Sequence, residues 1–565
     1  MSRAMRTLVI SWPWVLAMLV CAPLLAPGYV LTYDMVWVPD LALRPDTLGL
    51  GSALPRAVPS DAVVGVLDEV VPGQVLQKLA LVGALGFAGT GMARLWGTQS
   101  PAAALASASL YVWNPYVAER LLMGQWPLLV AYAALPWLIA AAWDLRQGNV
   151  GAWPRVALAL LVMSLTPATG SVGVLVALCC GVDLRGTRRA RRALLLLGLG
   201  VAANATWICA GLARGAVARS DAGAAALFEA RAEGVLGRVG SLLSLGGIWN
   251  ADAVPASRTT LLGGVGAVLV LSVVVLGAAA RTARRPMWGL PLLAAVGLAL
   301  ALSGWLASDA VGWLASSLRG GGLLRDGTRY LILLAPLEAL LFGAGVRALC
   351  AWGARRTLTW VVSFAAVSGA IVPLAVLPDL AWGLAGRLTP VSYPASWHQA
   401  RSLIASSPVA GDVVVLPFSS YRAPAWNDYR PVLDPAGRFF DRTTVVNDDL
   451  VVSGETIAGE DPRASGVQQL LDSGAGVDAL GPLGIGLVVE SVADDDVPGG
   501  ASLLVAPEIE VRVVGGEVAE RRPGRGDIAI VAAGGISALV TMLLASAALA
   551  RRRWAIRRVA RPAVL

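Results

Sequence analysis

The sequence predicts an α-helical polytopic membrane protein of about twelve transmembrane helices, with both termini cytoplasmic and an extracytoplasmic α/β domain inserted before the last helix. Three observations predict it. The 565 residues are 56% hydrophobic and 15% charged, whereas ordinary soluble domains are about a quarter charged. Apolar runs, ten of them of about 17 to 23 residues, the length that crosses a hydrocarbon core of roughly 30 Å, recur near 8-26, 75-93, 101-117, 126-143, 154-167, 170-182, 193-213, 259-280, 288-306, 329-348, 357-377 and 527-549. Arginine clusters stand where every second run ends: Arg3 and Arg6 before the first, Arg185 to Arg192 after the sixth, Arg281 to Arg285 after the eighth, Arg347 to Arg356 around the tenth boundary, and Arg551 to Arg561 after the last. By the positive-inside rule these are cytoplasmic, so the polar segments 27-74, 214-258, 307-328 and 378-526 face outward.

The chain therefore divides into a membrane domain at 1-377 with an acidic first outward loop at 27-74, an extracytoplasmic α/β domain at 378-526, and a last helix with a basic cytoplasmic tail at 527-565. The first run reads as a retained signal-anchor, since eleven more follow it. Runs between 101 and 182 are short or interrupted by Gly and Pro, and the Asn114-Pro115 pair should end a helix. Within 378-526, Gly411 to Phe418 and Ile485 to Glu490 read as buried strands, 395-406 and 464-473 have helical spacing, and 502-506 with 509-514 suggest a hairpin. Arg521-Arg-Pro-Gly-Arg525 is a short linker into the last helix.

Composition excludes several function classes. The formal charge of +8 is not a nucleic-acid footprint, because 378-526 holds 20 acidic residues against 11 arginines while the excess arginine gathers on the cytoplasmic face. That placement suits anionic lipid headgroups, and no basic groove with interleaved aromatics is present, so nucleic acid is not an expected partner. Lys78, the sole lysine, does not follow a glycine-rich loop, which rules out a phosphate-binding loop of the ATPase kind. His398 is the sole histidine, so no site built on paired imidazoles is possible. All five cysteines fall in or beside apolar runs, and the outward domain has no disulfide framework.

Five constellations are candidates for chemistry. The first outward loop, Tyr33-Asp34-Met-Val-Trp37-Val-Pro39-Asp40, sets carboxylates just above the bilayer. A carboxylate there suits a general base acting on a hydroxyl, or a ligand to a divalent cation, the one cofactor these residues suggest; the alternative is simple solvation of the loop. In Trp113-Asn-Pro-Tyr-Val-Ala-Glu119-Arg120 followed by Gly124-Gln-Trp126, Glu119 and Arg120 are candidates to hold a phosphate or sugar hydroxyl, or to form a structural ion pair. In Leu324-Arg325-Asp-Gly-Thr-Arg329-Tyr330, Arg325 and Arg329 suit bidentate binding of a lipid phosphate. Glu338, about nine residues into an apolar run, is a functional candidate by its position alone. Finally, Tyr421, Arg422, Trp426 and Asp428 interleave aromatics with hydrogen-bonding groups after a strand, a composition that suits carbohydrate. Asp494 to Asp496 read as a solvated turn.

On these stretches, together with Leu480-Gly-Pro-Leu-Gly-Ile-Gly-Leu-Val-Val489, the chain resembles the type C polytopic membrane glycosyltransferases that use polyprenyl-phosphate sugars, and among them actinobacterial-like relatives. The resemblance implies hexosyl or pentosyl transfer on the outward face of the cell membrane. It implies a polyprenyl-phosphate sugar donor in the membrane lipid, an envelope glycan or glycolipid acceptor, and a first-loop aspartate as base or metal ligand, here Asp34 or Asp40. The chain departs from the family's pattern in lacking an adjacent acidic pair after the first run. Two other functions remain open at this point: a lipid-linked saccharide transporter or flippase working through Glu338, and a non-catalytic scaffold for envelope assembly built on 378-526.

Overall fold

The computed structural model describes residues 2–97, 100–213, 221–280, 289–318, 320–452, 454–491 and 497–559. Arg281 to Arg285, Asp494 to Asp496 and Arg561 lie outside the described residues. Among those described, nine helices are long and apolar enough to cross a membrane: Arg3–Leu25, Gly73–Trp96, Trp126–Arg146, Arg189–Ala213, Leu261–Ala279, Gly289–Leu306, Ala335–Arg355, Thr359–Val376 and Arg525–Arg552. Each matches one of the twelve apolar runs.

The other three runs are interrupted, and the cause is local. Ser100, Asn114 and Thr166 each turn a side-chain oxygen onto a backbone N–H of the following turn, and each is followed by a proline at the start of the helix. An oxygen cap plus a proline that needs no N–H partner starts a new helix wherever it occurs. The run at 101-117 therefore splits into Pro101–Val112 and Pro115–Leu122, and Pro167 begins a fresh helix after Trp153–Met163. Trp153–Met163 and Pro167–Gly181 have 11 and 15 residues, about 16 and 22 Å at 1.5 Å per residue, short of the roughly 30 Å a crossing requires. Arg146, at the end of Trp126–Arg146, donates to the Val182 carbonyl (3.1 Å) and pairs with Asp183 (3.5 Å). The hairpin thus leaves on the side where it entered. Arg552, near the end of the last long helix, reaches the same side by donating to the Gly151 carbonyl (2.6 Å).

On the opposite side the chain builds a second unit. Its five-stranded sheet contains β1 (Asp412–Leu416), β2 (Thr444–Val445), β3 (Ile485–Glu490), β4 (Ala501–Val505) and β5 (Glu510–Val513), in the order β4-β5-β3-β1-β2. β1 is parallel to β2 and β3, while β5 runs antiparallel to both β3 and β4. Both faces of the centre are covered, which explains the unbroken apolar runs of β1 and β3. Val413, Val415, Leu487 and Val489 pack toward the main core. Val414, Leu416 and Val488 pack against Ala464 and Val467 of the Pro462–Asp472 helix, as a two-residue side-chain period demands.

The first loop joins the two units. Tyr29 and Val30 pair antiparallel with Val391 and Pro390, and Tyr33 exchanges backbone hydrogen bonds with Pro431 and Leu433 (2.7 and 2.8 Å). Arg44, buried, donates to the Gly437 carbonyl (2.6 Å), and Arg438 donates to Asp61 (2.8 Å). A loop of this length held by so many backbone groups is a fixed strap rather than a solvated tether.

If the arginine side is cytoplasmic, cysteines placed at Val70 and Glu517, both exposed, should react with a membrane-impermeant thiol reagent in intact cells, while one at exposed Thr187 should react only after permeabilisation. The reverse pattern would invert the topology.

Candidate functional site

The site forms where four segments converge: the first loop, the Pro115–Leu122 helix with the turn after it, the 3-10 segment Gly327–Leu333, and the loop after β1. Asn114 starts the short helix by accepting from the Val117 N–H (3.1 Å), and this sets Glu119 and Arg120 on its buried surface. Consecutive helix residues point about 100° apart, so the two lead into different networks.

Arg120 has 0% of its surface exposed. It pairs with Asp326 (3.4 Å), donates to Thr328 Oγ1 (2.8 Å) and to Gln125 Oε1 (3.1 Å), and lies over the Tyr116 ring at 5.2 Å. Asp326 also takes Arg329 (3.2 Å), and the Tyr116 hydroxyl donates to the Arg329 carbonyl (2.7 Å). Burial alone would raise the Asp326 carboxyl, but Arg120 and Arg329 together hold it below the usual carboxylate range.

Gln125 carries this network to the first loop. Its Oε1 accepts from Arg120 and its Nε2 donates to Asp34 Oδ2 (3.2 Å). The other carboxylate oxygen, Asp34 Oδ1, accepts from the Tyr421 hydroxyl (2.7 Å). Burial, then the Asp34 charge, push the Tyr421 phenol well above its ordinary value, so it remains a donor. Asp34 is thus a half-buried carboxylate oriented by two neutral donors. Its backbone is held as firmly: the Asp34 N–H donates to the Met123 carbonyl (3.1 Å), and Tyr33 before it takes a left-handed φ of 38°. Gly124, at φ 71°, lies so close beneath that a Cβ there would come within 2.3 Å of both Met35 N and Thr32 O.

Cationic side chains act on this carboxylate and on the tyrosine that orients it. Arg329 and Arg438 both feel the Asp34 charge, and Arg56 and Arg325 both act on Tyr421. Arg325 lies over the Phe228 ring at 5.2 Å, and burial, then neighbouring Arg56, draw its guanidinium down to about 10, still charged at neutral pH. Arg325 and Arg56 both contact Glu460 of the C-terminal unit.

The remaining candidates lie elsewhere. Asp40 has a side chain 59% exposed and pairs with Arg401 (2.9 Å) rather than facing Asp34. Arg422 pairs with buried Asp434 and donates to the Pro417 carbonyl (2.6 Å). Trp426 packs with Tyr393 and Trp397 at ring separations of 5.1 and 5.6 Å. Asp428, 69% exposed, occupies a left-handed turn beside Arg430. Glu119 is buried against Glu233, and burial, then that facing carboxylate, raise it well above the usual range. Glu233 is in turn held by Arg258 (2.9 Å) and the Ile248 N–H (3.2 Å). Glu338 is buried, with Arg258 its charged neighbour.

Sequence reading missed Gln125, Arg56, Arg438 and Glu460 as members of the site. Gln125 stands in the quoted Gly124-Gln-Trp126 stretch; for the other three no local signal exists. As for a divalent cation, both Asp34 oxygens already accept hydrogen bonds, and among the described residues no group of three or more His, Cys, Asp or Glu is placed to hold a metal ion.

No protein-family model matches the sequence, and no curated protein matches it. Among solved structures, a cryo-EM structure of the arabinofuranosyltransferase AftD from mycobacteria is similar, with a TM-score of 0.55 at 18% identity over 92% of this chain. The match covers 42% of the AftD chain, so this chain spans less than half its length. At that identity the likeness is one of fold.

Gly124→Ala should lower the melting temperature of the detergent-solubilised protein, with a loss of at least about 1 to 3 kcal/mol, because the Cβ meets backbone and the left-handed φ is strained. An unchanged melting temperature would mean that the first loop is not seated on this turn.

Proposed function

We propose that the chain is a membrane glycosyltransferase that moves a sugar from a polyprenyl-phosphate donor to a hydroxyl of an envelope glycan or glycolipid. The observation that carries the reading is the setting of Asp34: one carboxylate, oriented by Tyr421 and Gln125, whose charge acts on Arg329 and Arg438, at the boundary between the membrane helices and the C-terminal unit. A base near a hydroxyl and cations near a leaving phosphate are the two requirements of such a transfer. The AftD-like fold supports it, since that protein is an arabinofuranosyltransferase.

In this mechanism Asp34 accepts the acceptor hydroxyl's proton as the oxygen attacks the anomeric carbon. The bond from that carbon to the phosphate oxygen breaks, its electron pair stays on the phosphate, and the configuration inverts. Arg325 and Arg329 stabilise the negative charge that gathers there. Tyr421 and Gln125 fix the rotamer of the carboxylate, so that its remaining lone pairs face the acceptor. Asp40, paired with Arg401 at the surface, takes no part.

Asp34→Asn should abolish sugar transfer from a polyprenyl-phosphate donor in isolated membranes with expression unchanged, and Arg329→Ala should weaken donor turnover by roughly 2 to 5 kcal/mol. Full activity of the Asp34 variant would sink the base assignment. Movement of lipid-linked sugar across vesicles without a new glycosidic bond, stopped by Glu338→Gln, would favour a transporter instead.

A further inference from the structure

The Ser60–Asp68 helix of the first loop is amphipathic in the inverse sense. At about 100° per residue, Asp61, Val64, Gly65 and Asp68 share one side, and Val63, Val66 and Leu67 share the other. The first side faces the protein. Asp61 accepts from Arg438 (2.8 Å) and Asp68 accepts from the Leu41 N–H (2.8 Å). Val64 and Gly65 are buried, and a Cβ on Gly65 would come within 2.7 Å of the Leu41 carbonyl oxygen. The second side is uncovered: Val66 is 57% exposed, Leu67 48% and Val63 40%, with exposed Leu43 next to Gly65. A surface helix in water turns its aliphatic stripe inward and its charges out. Here the carboxylates fasten the helix to the protein and the aliphatic stripe points away from it.

The height of the helix indicates what covers the stripe. The span Gly73–Trp96 begins directly after the turn that ends the helix. Val64 lines a small cleft with Trp37 and Trp126, and Trp126 is the first residue of the span Trp126–Arg146. The helix therefore lies level with the ends of two membrane spans, where tryptophan collects at the headgroups. The apolar surface also continues along the chain, since Val75 and Leu79 in the first turns of Gly73–Trp96 are 40% and 61% exposed.

We infer that Ser60–Asp68 is an interfacial membrane anchor, lying on the leaflet at the side of the C-terminal unit with Val63, Val66, Leu67 and Leu43 set against the lipid. An anchor of this kind buries its apolar face about 5 to 10 Å into the boundary between headgroups and acyl chains. Val70, past the end of the helix and next to Glu69, marks the aqueous rim of the stripe, where a water-soluble reagent still reaches. Through Asp61 with Arg438 and Asp68 with Leu41, the anchor ties the first loop to the bilayer surface and so sets the height of Asp34 above it. The seating holds whatever reaction the site carries out.

The test is the depth of nitroxide labels on Val63→Cys, Val66→Cys and Leu67→Cys variants of the full chain in phosphatidylcholine nanodiscs. Depth is read from collisions with oxygen, which concentrates in lipid, against collisions with a water-soluble nickel chelate. Leu79→Cys and Glu517→Cys supply the lipid and water references, and the unsubstituted chain corrects for its own cysteines. The labels at Val66 and Leu67 should favour oxygen over the chelate, as the label at Leu79 does. Chelate collisions equal to those at Glu517 would place the stripe in water and overturn the inference. Poor access to both reagents would show that protein covers the stripe, a second copy of this chain included, and would overturn it as well. Val66→Asp combined with Leu67→Asp should move the Val63 label toward the Glu517 value, and no movement in the folded variant would count against the stripe as the anchor. If the double variant does not fold, Leu67→Gln alone serves for the same comparison.

Discussion

A fully buried guanidinium cannot be left alone in a low-dielectric interior, and Arg120 is such a group. Removing one partner of a buried pair typically costs about 3 to 5 kcal/mol because the other charge is stranded. The fold answers by bringing Asp326 and Thr328 in from one side and Gln125 from the other. Everything functional is hung on that answer. Asp326 fixes Arg329, Gln125 fixes Asp34, and the turn carrying Gln125 supplies the glycine surface on which the first loop rests.

The C-terminal unit completes the arrangement instead of standing apart from it. Tyr421 reaches over to the second oxygen of Asp34, Glu460 holds Arg56 and Arg325, and Tyr33 enters the register beside Val432. The carboxylate is consequently shared between membrane helices and sheet, and any displacement of the sheet relative to the first loop would alter its orientation. Preorganised groups of this kind lose little on ligand binding, because their donors already point where charge will develop.

Much of the fold was legible because apolar length and arginine placement are long-range averages. The two central strands, the helices at 395–406 and 462–472, and nine of the twelve runs sit where period and composition put them. Three runs are interrupted for a definite reason. Hydropathy sums ignore that Ser100-Pro101, Asn114-Pro115 and Thr166-Pro167 restart the helix, so an apolar stretch long enough to cross becomes shorter pieces. The site was legible only in part. Asp34, Arg120, Arg325 and Arg329 stand in stretches dense with polar and aromatic residues next to apolar runs, a contrast a sequence displays. Arg56, Arg438 and Glu460 acquire meaning only from contacts spanning hundreds of residues, such as Arg56 with Glu460. Asp34 and Asp40 could not be separated by sequence either. Six residues apart in an irregular loop, they point to different surroundings because Tyr33 turns left-handed and Asp40 is drawn to Arg401.

The most direct test of the account is where a polyprenyl phosphate binds, read from a cryo-EM map of the full chain in nanodiscs with the lipid added. In the proposed transferase the phosphate lies against Arg325 and Arg329, with the side that would carry the sugar turned toward Asp34. Density for the phosphate beside Glu338 and Arg258, or on the face of the arginine-rich helix ends, would contradict it.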